Sequence, residues 1–230
     1  MREVRWRLAS GSPPISHHWF DSTHITYGVA TAGFTSRHVQ LEGSIFTGRE
    51  PDEQRWGFDK MRFDSWSARA TWNPSPDWTV QASTGRLNQP EPLHPGQDEQ
   101  RTTASVQYAN GKGLSAMAAF SSKNRLPGRN LTAWLAEANW DIGDHHTLFG
   151  RVENVGNDEL FPDHTDPLHD QPFRVTKVQA GYAYRIPVSE QLGLALGGTM
   201  STFLKPEKLD AAYGENPMGY TLFARLSLGL

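Results

Sequence analysis

The chain has 230 residues, a formal net charge of −3 and no cysteine, which excludes a disulfide framework and a thiolate metal site. Acidic and basic residues are mixed along the chain without a basic stripe, so nucleic acid is not an expected partner. No apolar run approaches the roughly 18 to 20 residues of a spanning helix. The mean hydropathy of −0.58 does not argue against a membrane β-barrel, whose strands alternate lipid-facing and lumen-facing residues.

The N-terminal residues 1–14 contain arginines but neither an apolar core nor a small-residue cleavage site, so they do not form a secretory signal. A secreted barrel needs such a signal. We therefore expect the N-terminus to be truncated, processed or wrongly assigned. Residues 3–9 are a weak first strand candidate.

A period of two residues recurs in segments of about 9 to 13 residues, close to the length with which a tilted strand crosses a bilayer. The predicted strands are residues 22–33, 36–47, 62–73, 77–87, 101–109, 112–121, 130–140, 145–155, 173–186, 190–201 and 218–230. The clearest alternation sets Leu192, Leu194 and Leu196 against Gly193 and Ala195. No segment has a helical period, and the abundant Gly, Thr and aromatic residues also favour strands.

The connections alternate between short and long. Short turns are predicted at residues 34–35, 74–76, 110–111, 142–144 and 187–189, each supported by flanking or internal turn-forming residues. Long polar loops are predicted at residues 48–61, 88–100, 156–172 and 202–217, with a shorter loop at 122–129. Short periplasmic turns and longer extracellular loops are typical of outer-membrane barrels.

The alternation therefore predicts an all-β fold, an antiparallel up-and-down transmembrane β-barrel of about 12 strands, either closed or incomplete at the N-terminus. The final segment, residues 220–230, resembles the C-terminal strand by which the barrel-assembly machinery recognises its substrates, although such strands usually end in Phe and this one ends in Leu230. We treat residues 1–230 as one barrel domain.

Aromatic residues on the apolar phase are predicted to form an interfacial girdle. These residues are Trp66, Trp72, Trp78, Trp134, Trp140, Tyr182, Tyr184 and Tyr220. The alternative is that they form the core of a soluble all-β binding protein.

From about Pro14 onward, the stretches ISHHWFDSTHITYGVATAGF, FTGREPDEQRWGFDKMRFDSWSARATWNPSPDW and TLFGRVENVGNDELF resemble a family of uncharacterised proteobacterial outer-membrane proteins. The resemblance implies a predicted barrel domain behind a signal peptide, and members that are longer at the N-terminus. It implies no activity and no catalytic residues.

If the apolar phase faces lipid, the opposite phase lines the lumen with mixed charge. The predicted lumen-lining residues are His24, His38, Glu42, Arg69, Gln81, Glu137, Asn139, Arg151, Glu153, Lys177, Gln179 and Arg225. Such side chains either line a water-filled pore or pair with one another and plug it, and the sequence favours neither.

Two histidine-containing clusters carry ligand types suited to zinc or copper. One contains His17, His18 and His24, and the other contains His164, Asp166 and His169. Solvated loop histidines that coordinate nothing are the more common case, so no cofactor is expected beyond this zinc or copper alternative. No spacing matches an outer-membrane phospholipase or protease, although Ser22 with His24, or His164 with Asp166, leaves an enzymatic barrel as a further alternative.

These observations favour an outer-membrane barrel that is either a porin-like channel or a structural barrel. The expected partners are outer-membrane lipid, lipopolysaccharide and the barrel-assembly machinery. The oligomeric state and the solute are not predicted.

Overall fold

In the computed structural model, residues 13–20, 27–51, 56–57, 59–91, 95–189 and 191–228 are described. The weak strand candidate at residues 3–9 lies outside this part of the chain. The strands are β1 Ala30–Thr35, β2 Val39–Phe46, β3 Ser65–Ser75, β4 Trp78–Leu87, β5 Asp98–Ala109, β6 Leu114–Leu126, β7 Asn130–Ile142, β8 His146–Asn157, β9 Phe173–Ser189, β10 Leu192–Leu204 and β11 Met218–Leu228.

Short helices accompany the strands. They are α1 His17–Phe20, a 3-10 turn Glu207–Leu209 and α2 Asp210–Tyr213. Within the described residues, no helix has the length and apolar character to cross a membrane.

The strands form an 11-stranded sheet whose order follows the sequence from β1 to β11. Neighbouring strands whose register is known pair antiparallel; for example, Thr199 of β10 lies opposite both Gly181 of β9 and Thr221 of β11. This is the meander that successive hairpins produce, and it confirms the predicted all-β, up-and-down antiparallel topology.

The turn between β5 and β6 illustrates how the sequence closes a hairpin. Gly111 adopts a φ of +66°, which a glycine reaches without steric cost. The side-chain oxygen of Asn110 accepts hydrogen bonds from the backbone amides of Lys112 and Leu114, at 2.8 and 3.1 Å. Asn110 and Gly111 therefore lie in the connection that their composition predicts, but it is longer than the predicted two residues, because β5 ends at Ala109 and β6 begins at Leu114.

The structure corrects several predicted connections. Residues 34–35 belong to β1 and residues 187–189 belong to β9, so neither stretch is the predicted turn. Residues 122–129 were expected to form a loop, but β6 continues to Leu126 and only residues 127–129 join it to β7. The polar character of Lys123 and Arg125 suggested a loop, whereas both side chains are buried among acidic partners from the preceding part of the chain. Likewise, β5 begins at Asp98 rather than at Arg101.

The chain divides into two compact units. The N-terminal unit contains Ser16–Val106 and Ala119–Ala133, and the C-terminal unit contains Met1–Ile15, Gln107–Ala118 and Trp134–Leu230. Strands β5, β6 and β7 contribute residues to both units. The single-domain organisation stays a prediction.

Alternate residues of the strands differ in burial, and we call the buried, largely polar set the inner phase and the exposed, largely apolar set the outer phase. On β11, Tyr220 and Leu222 are 79% and 90% exposed. On β9, by contrast, Lys177 is only 2% exposed, whereas the adjacent Val178 is exposed. This is the reverse of a soluble protein, in which a charged side chain is rarely buried and a large apolar one usually is.

All the aromatic residues assigned to the girdle are exposed. In the N-terminal unit, Trp72 and Trp78 flank the turn between β3 and β4, and Trp66 lies near the opposite end of β3. In the C-terminal unit, Tyr182 and Tyr184 lie towards the end of β9 that precedes the turn to β10. Exposed aromatic residues near strand ends are typical of the membrane-water interface.

Candidate functional site: the charged inner phase

The inner phase of the C-terminal unit contains charged pairs at neighbouring strand positions. The Arg151 guanidinium on β8 contacts the Glu137 carboxylate on β7, with nitrogen-oxygen distances of 2.8 Å. Glu153 on β8 lies opposite Lys177 on β9 in the sheet register, and Glu153 is 0% exposed. Buried charges are tolerated when they are paired, so opposite charges on adjacent strands explain this arrangement.

Lys177 also reaches the N-terminal part of the chain. Its Nζ donates a hydrogen bond of 2.8 Å to the backbone oxygen of Pro13 and lies 5.7 Å from the centroid of the Phe203 ring. The ammonium group thus has a carbonyl and an aromatic face as neighbours in addition to Glu153.

Gln179 and Asn139 are further polar members of the inner phase. Both amide atoms of Gln179 and the Oδ1 atom of Asn139 are buried, and no partner is found for them within the described residues. Gln179 lies opposite Arg151 in the sheet.

The N-terminal unit holds a denser group of charges, which we call the ion cluster: Glu91, Glu99, Arg101, Lys123 and Arg125. The Glu99 carboxylate lies 2.7 Å from Arg101, 3.3 Å from Lys123 and 3.8 Å from Arg125. Glu91 lies 3.1 Å from Lys123 and 3.7 Å from Arg101. The cluster therefore combines three cationic side chains with two carboxylates.

The cations of the ion cluster affect the pKa of Glu91, which lies in the loop between β4 and β5. Burial alone would raise the pKa of Glu91, but the neighbouring charges of Lys123, Arg101 and Arg125 outweigh it and lower the pKa. Glu91 therefore stays ionised at lower pH than an ordinary glutamate.

The ion cluster also holds α1 against the inner phase. Arg101 donates a hydrogen bond of 2.8 Å to the backbone oxygen of His18, and the Ser121 hydroxyl donates one of 2.5 Å to that of Trp19. Trp19 is only 4% exposed. Protein therefore covers part of the inner phase of this unit.

Most of the predicted lumen-lining residues lie at inner-phase positions and are partly or fully buried. They are Glu42, Gln81, Glu137, Asn139, Arg151, Glu153, Lys177, Gln179 and Arg225. Arg69 shares that phase but its side chain is 54% exposed, 4.0 Å from Glu42. His38 differs, because it lies in the turn at residues 36–38 and not on β2, with Nδ1 3.0 Å from the backbone oxygen of Asn73. His24 lies outside the described residues.

Sequence reasoning missed the ion cluster. Lys123 and Arg125 fell in a predicted loop, and Glu99 fell just before a predicted strand. One signal was present, because Ser121, Lys123 and Arg125 continue the two-residue period of the preceding strand.

The two histidine clusters differ in geometry. His17 and His18 are exposed on α1 with ring centroids 3.9 Å apart, while Ser22 and His24 lie outside the described residues. In the loop at residues 158–172, His164 Nδ1 lies 2.9 Å from His169 Nε2, and His169 Nε2 lies 3.4 Å from the Asp170 carboxylate. Within the described residues, no group of three or more His, Asp or Glu side chains is arranged to hold a metal ion.

No protein-family model matches this sequence, and a search of curated proteins finds no match. Solved structures do resemble the chain. One is an anion-selective porin from Comamonas acidovorans, with 11% identity and a TM-score of 0.56, covering 86% of this chain and 58% of the porin. Another is a porin refined at 1.8 Å resolution, with 11% identity and a TM-score of 0.50, covering 86% of this chain and 60% of that porin.

The chain thus spans about three-fifths of the length of these two porins. At this identity the resemblance concerns the fold alone. Together with the sheet order and the reversed burial of the two phases, it assigns the chain the antiparallel up-and-down β-barrel fold of porins.

Proposed function

We propose that this chain is part of an outer-membrane, porin-like channel that conducts small hydrophilic solutes through a lumen of mixed charge. The observation that carries the proposal is the reversed burial of the two strand phases. Glu153 and Lys177 are buried while Leu222 and Tyr220 are almost fully exposed. Such a surface is stable where hydrocarbon, and not water, meets the outer phase.

The proposal extends to location and partners. The outer membrane with its lipid and lipopolysaccharide is the environment that fits an apolar outer phase bordered by exposed aromatic residues. The barrel-assembly machinery is the corresponding folding partner. We further propose that the strands belong to a longer barrel of the proteobacterial family that the sequence resembles.

We propose that the charged side chains of the inner phase set the ion selectivity of the channel, because charges that line a pore decide which ions pass. The ion cluster places charges of both signs on the inner phase, and α1 covers part of that phase beside it.

Single-channel recording in planar lipid bilayers tests the proposal, using protein expressed from its complete natural reading frame and folded in detergent. We expect discrete conductance steps. Folded protein that produces no steps would contradict the channel and leave a structural barrel.

A further inference from the structure

We propose that a cavity on the inner phase of the N-terminal unit is a binding site for neutral saccharides. The cavity measures about 440 Å³, within the range of about 300 to 1,000 Å³ in which small-molecule sites fall. This inference rests on the proposed channel function and names the class of solute that the channel retains.

The wall of the cavity is built from short hydroxyl side chains that align across neighbouring strands. Thr31 of β1 lies opposite Ser44 of β2, and Ser44 lies opposite Ser67 of β3. Ser67 in turn lies opposite Gly85 of β4. Because none of these side chains is long, the wall recedes along this row and leaves space.

The hydroxyl groups have more hydrogen-bond donors and acceptors than their hydrogen bonds with one another require. The Thr31 and Ser44 hydroxyls are 2.8 Å apart, and the Ser83 and Thr103 hydroxyls are 2.6 Å apart. Each such contact uses one of the two hydroxyl protons, so each pair retains a donor and further acceptor lone pairs. A polyhydroxylated solute offers the same mixture of donors and acceptors.

A charged pair lies in the same cavity. Glu42 and Arg69 sit opposite each other on β2 and β3, with a nitrogen-oxygen distance of 4.0 Å. A carboxylate accepts hydrogen bonds at two neighbouring oxygen atoms, and a guanidinium donates hydrogen bonds from two neighbouring nitrogen atoms. Neighbouring hydroxyls of a sugar ring match that spacing. Arg101 also lines the cavity, and its guanidinium is paired with the carboxylates of Glu99 and Glu91 at 2.7 and 3.7 Å.

Apolar side chains line the cavity together with the hydroxyls. They are Trp19 and Phe20 of α1, Phe46 and Leu87. The Trp19 indole nitrogen is buried, and no hydrogen-bond acceptor is found for it within the described residues. A sugar ring has apolar C–H faces as well as hydroxyls, so a cavity lined by both hydroxyl and aromatic side chains suits it better than it suits a simple ion.

The test is current block in planar bilayers, using the complete protein with maltose and sucrose as probes. Polyethylene glycol of matched hydrodynamic size is the control, because it fills volume but has no interior hydroxyls. We expect both sugars to reduce the open-channel current at concentrations at which the polymer does not. Isothermal titration with the same sugars on detergent-folded protein measures the site even if the channel does not conduct.

The matched variants remove hydroxyl groups while keeping side-chain volume. Thr31→Val combined with Thr103→Val removes two groups from the cavity wall, whereas Thr199→Val removes one from β10, outside the cavity. We expect the double variant to raise the half-blocking sugar concentration at least about fivefold, because each hydrogen bond contributes roughly two- to twelvefold in affinity. Thr199→Val leaves that concentration unchanged. Circular dichroism verifies that both variants fold.

The outcomes separate the two proposals. Conductance with neither block nor binding heat from either sugar overturns the saccharide site and keeps the channel. Sugar binding without conductance overturns the channel and keeps the site. Equal block of the original protein and of the double variant overturns the site, as does block by inorganic phosphate alone, which would assign the cavity to anions.

Discussion

Replacing Glu99 by Gln tests whether the ion cluster lies in a dry or a hydrated environment. Glu99 is 2% exposed, and its carboxylate faces three cations at 2.7 to 3.8 Å. At an effective dielectric constant of about 20, each of these contacts amounts to about 4 to 6 kcal/mol of gross Coulomb attraction. Desolvation of the carboxylate and repulsion among the cations offset most of that sum.

The net cost of removing one member of a buried ion group is typically about 3 to 5 kcal/mol, since the remaining charges lose their compensation. We expect Glu99→Gln to lower the free energy of unfolding by that amount. Glu42→Gln is the control, because Glu42 faces Arg69 at 4.0 Å with side chains 28% and 54% exposed. A pair of that exposure contributes only about 0 to 1 kcal/mol.

Urea unfolding in lipid vesicles, followed by tryptophan fluorescence, measures both variants. Equal slopes with urea concentration show that the unfolded states are comparable, so the shift in midpoint reports stability. If Glu99→Gln costs no more than Glu42→Gln, then water screens the ion cluster and the argument from burial is wrong.

Three further predictions concern Glu91, Leu222 and the pair formed by Lys177 and Glu153. The neighbouring cations lower the pKa of Glu91. The ionised carboxylate therefore contributes its full stabilisation of the folded protein above the ordinary glutamate pKa, and this contribution is lost as the pH falls through the lowered pKa. We expect Glu91→Gln to flatten the acid limb of a plot of unfolding free energy against pH. If Leu222 faces lipid, Leu222→Arg on the outer phase lowers the free energy of unfolding in bilayers by about 2 to 4 kcal/mol. Met61→Arg in an exposed loop is the control and changes that free energy by no more than about 0.5 kcal/mol. Equal changes for the two variants would contradict a lipid-facing outer phase. We expect Lys177→Met alone to destabilise the protein more than Lys177→Met combined with Glu153→Gln. The single change leaves the Glu153 carboxylate buried opposite an apolar side chain, and the double change removes that charge. Additive changes in unfolding free energy in a double-mutant cycle would disprove this coupling.

Most of the fold follows from local patterns in the sequence. Each strand found in the described residues overlaps a predicted one, because a two-residue period places the two phases on opposite faces of a strand without any knowledge of its partners. The exposure of the girdle aromatics, Trp72 and Tyr220 among them, was predicted for the same reason. Turn composition at Asn110 and Gly111 located a hairpin.

Local sequence patterns did not predict the ion cluster. Lys123 and Arg125 look like loop residues in isolation, since a lone charged side chain is costly to bury. They extend β6 because Glu99 and Glu91, which are distant in sequence, neutralise them in the folded chain. Whether a charged side chain can be buried in a protein depends on its ionic partners, and the spacing of residues in the sequence does not reveal these partners.

The sequence alone thus determined the strand order of the meander, the phase that faces outward and the residue types of the inner phase, because all three follow from alternation along one strand and from turn chemistry. Tertiary structure decided how the charges pair, that α1 lies against the inner phase, and that a row of short hydroxyls beside Trp19 opens a cavity. Those features depend on the register between strands and on side chains far apart in the chain, which a repeating local pattern does not specify.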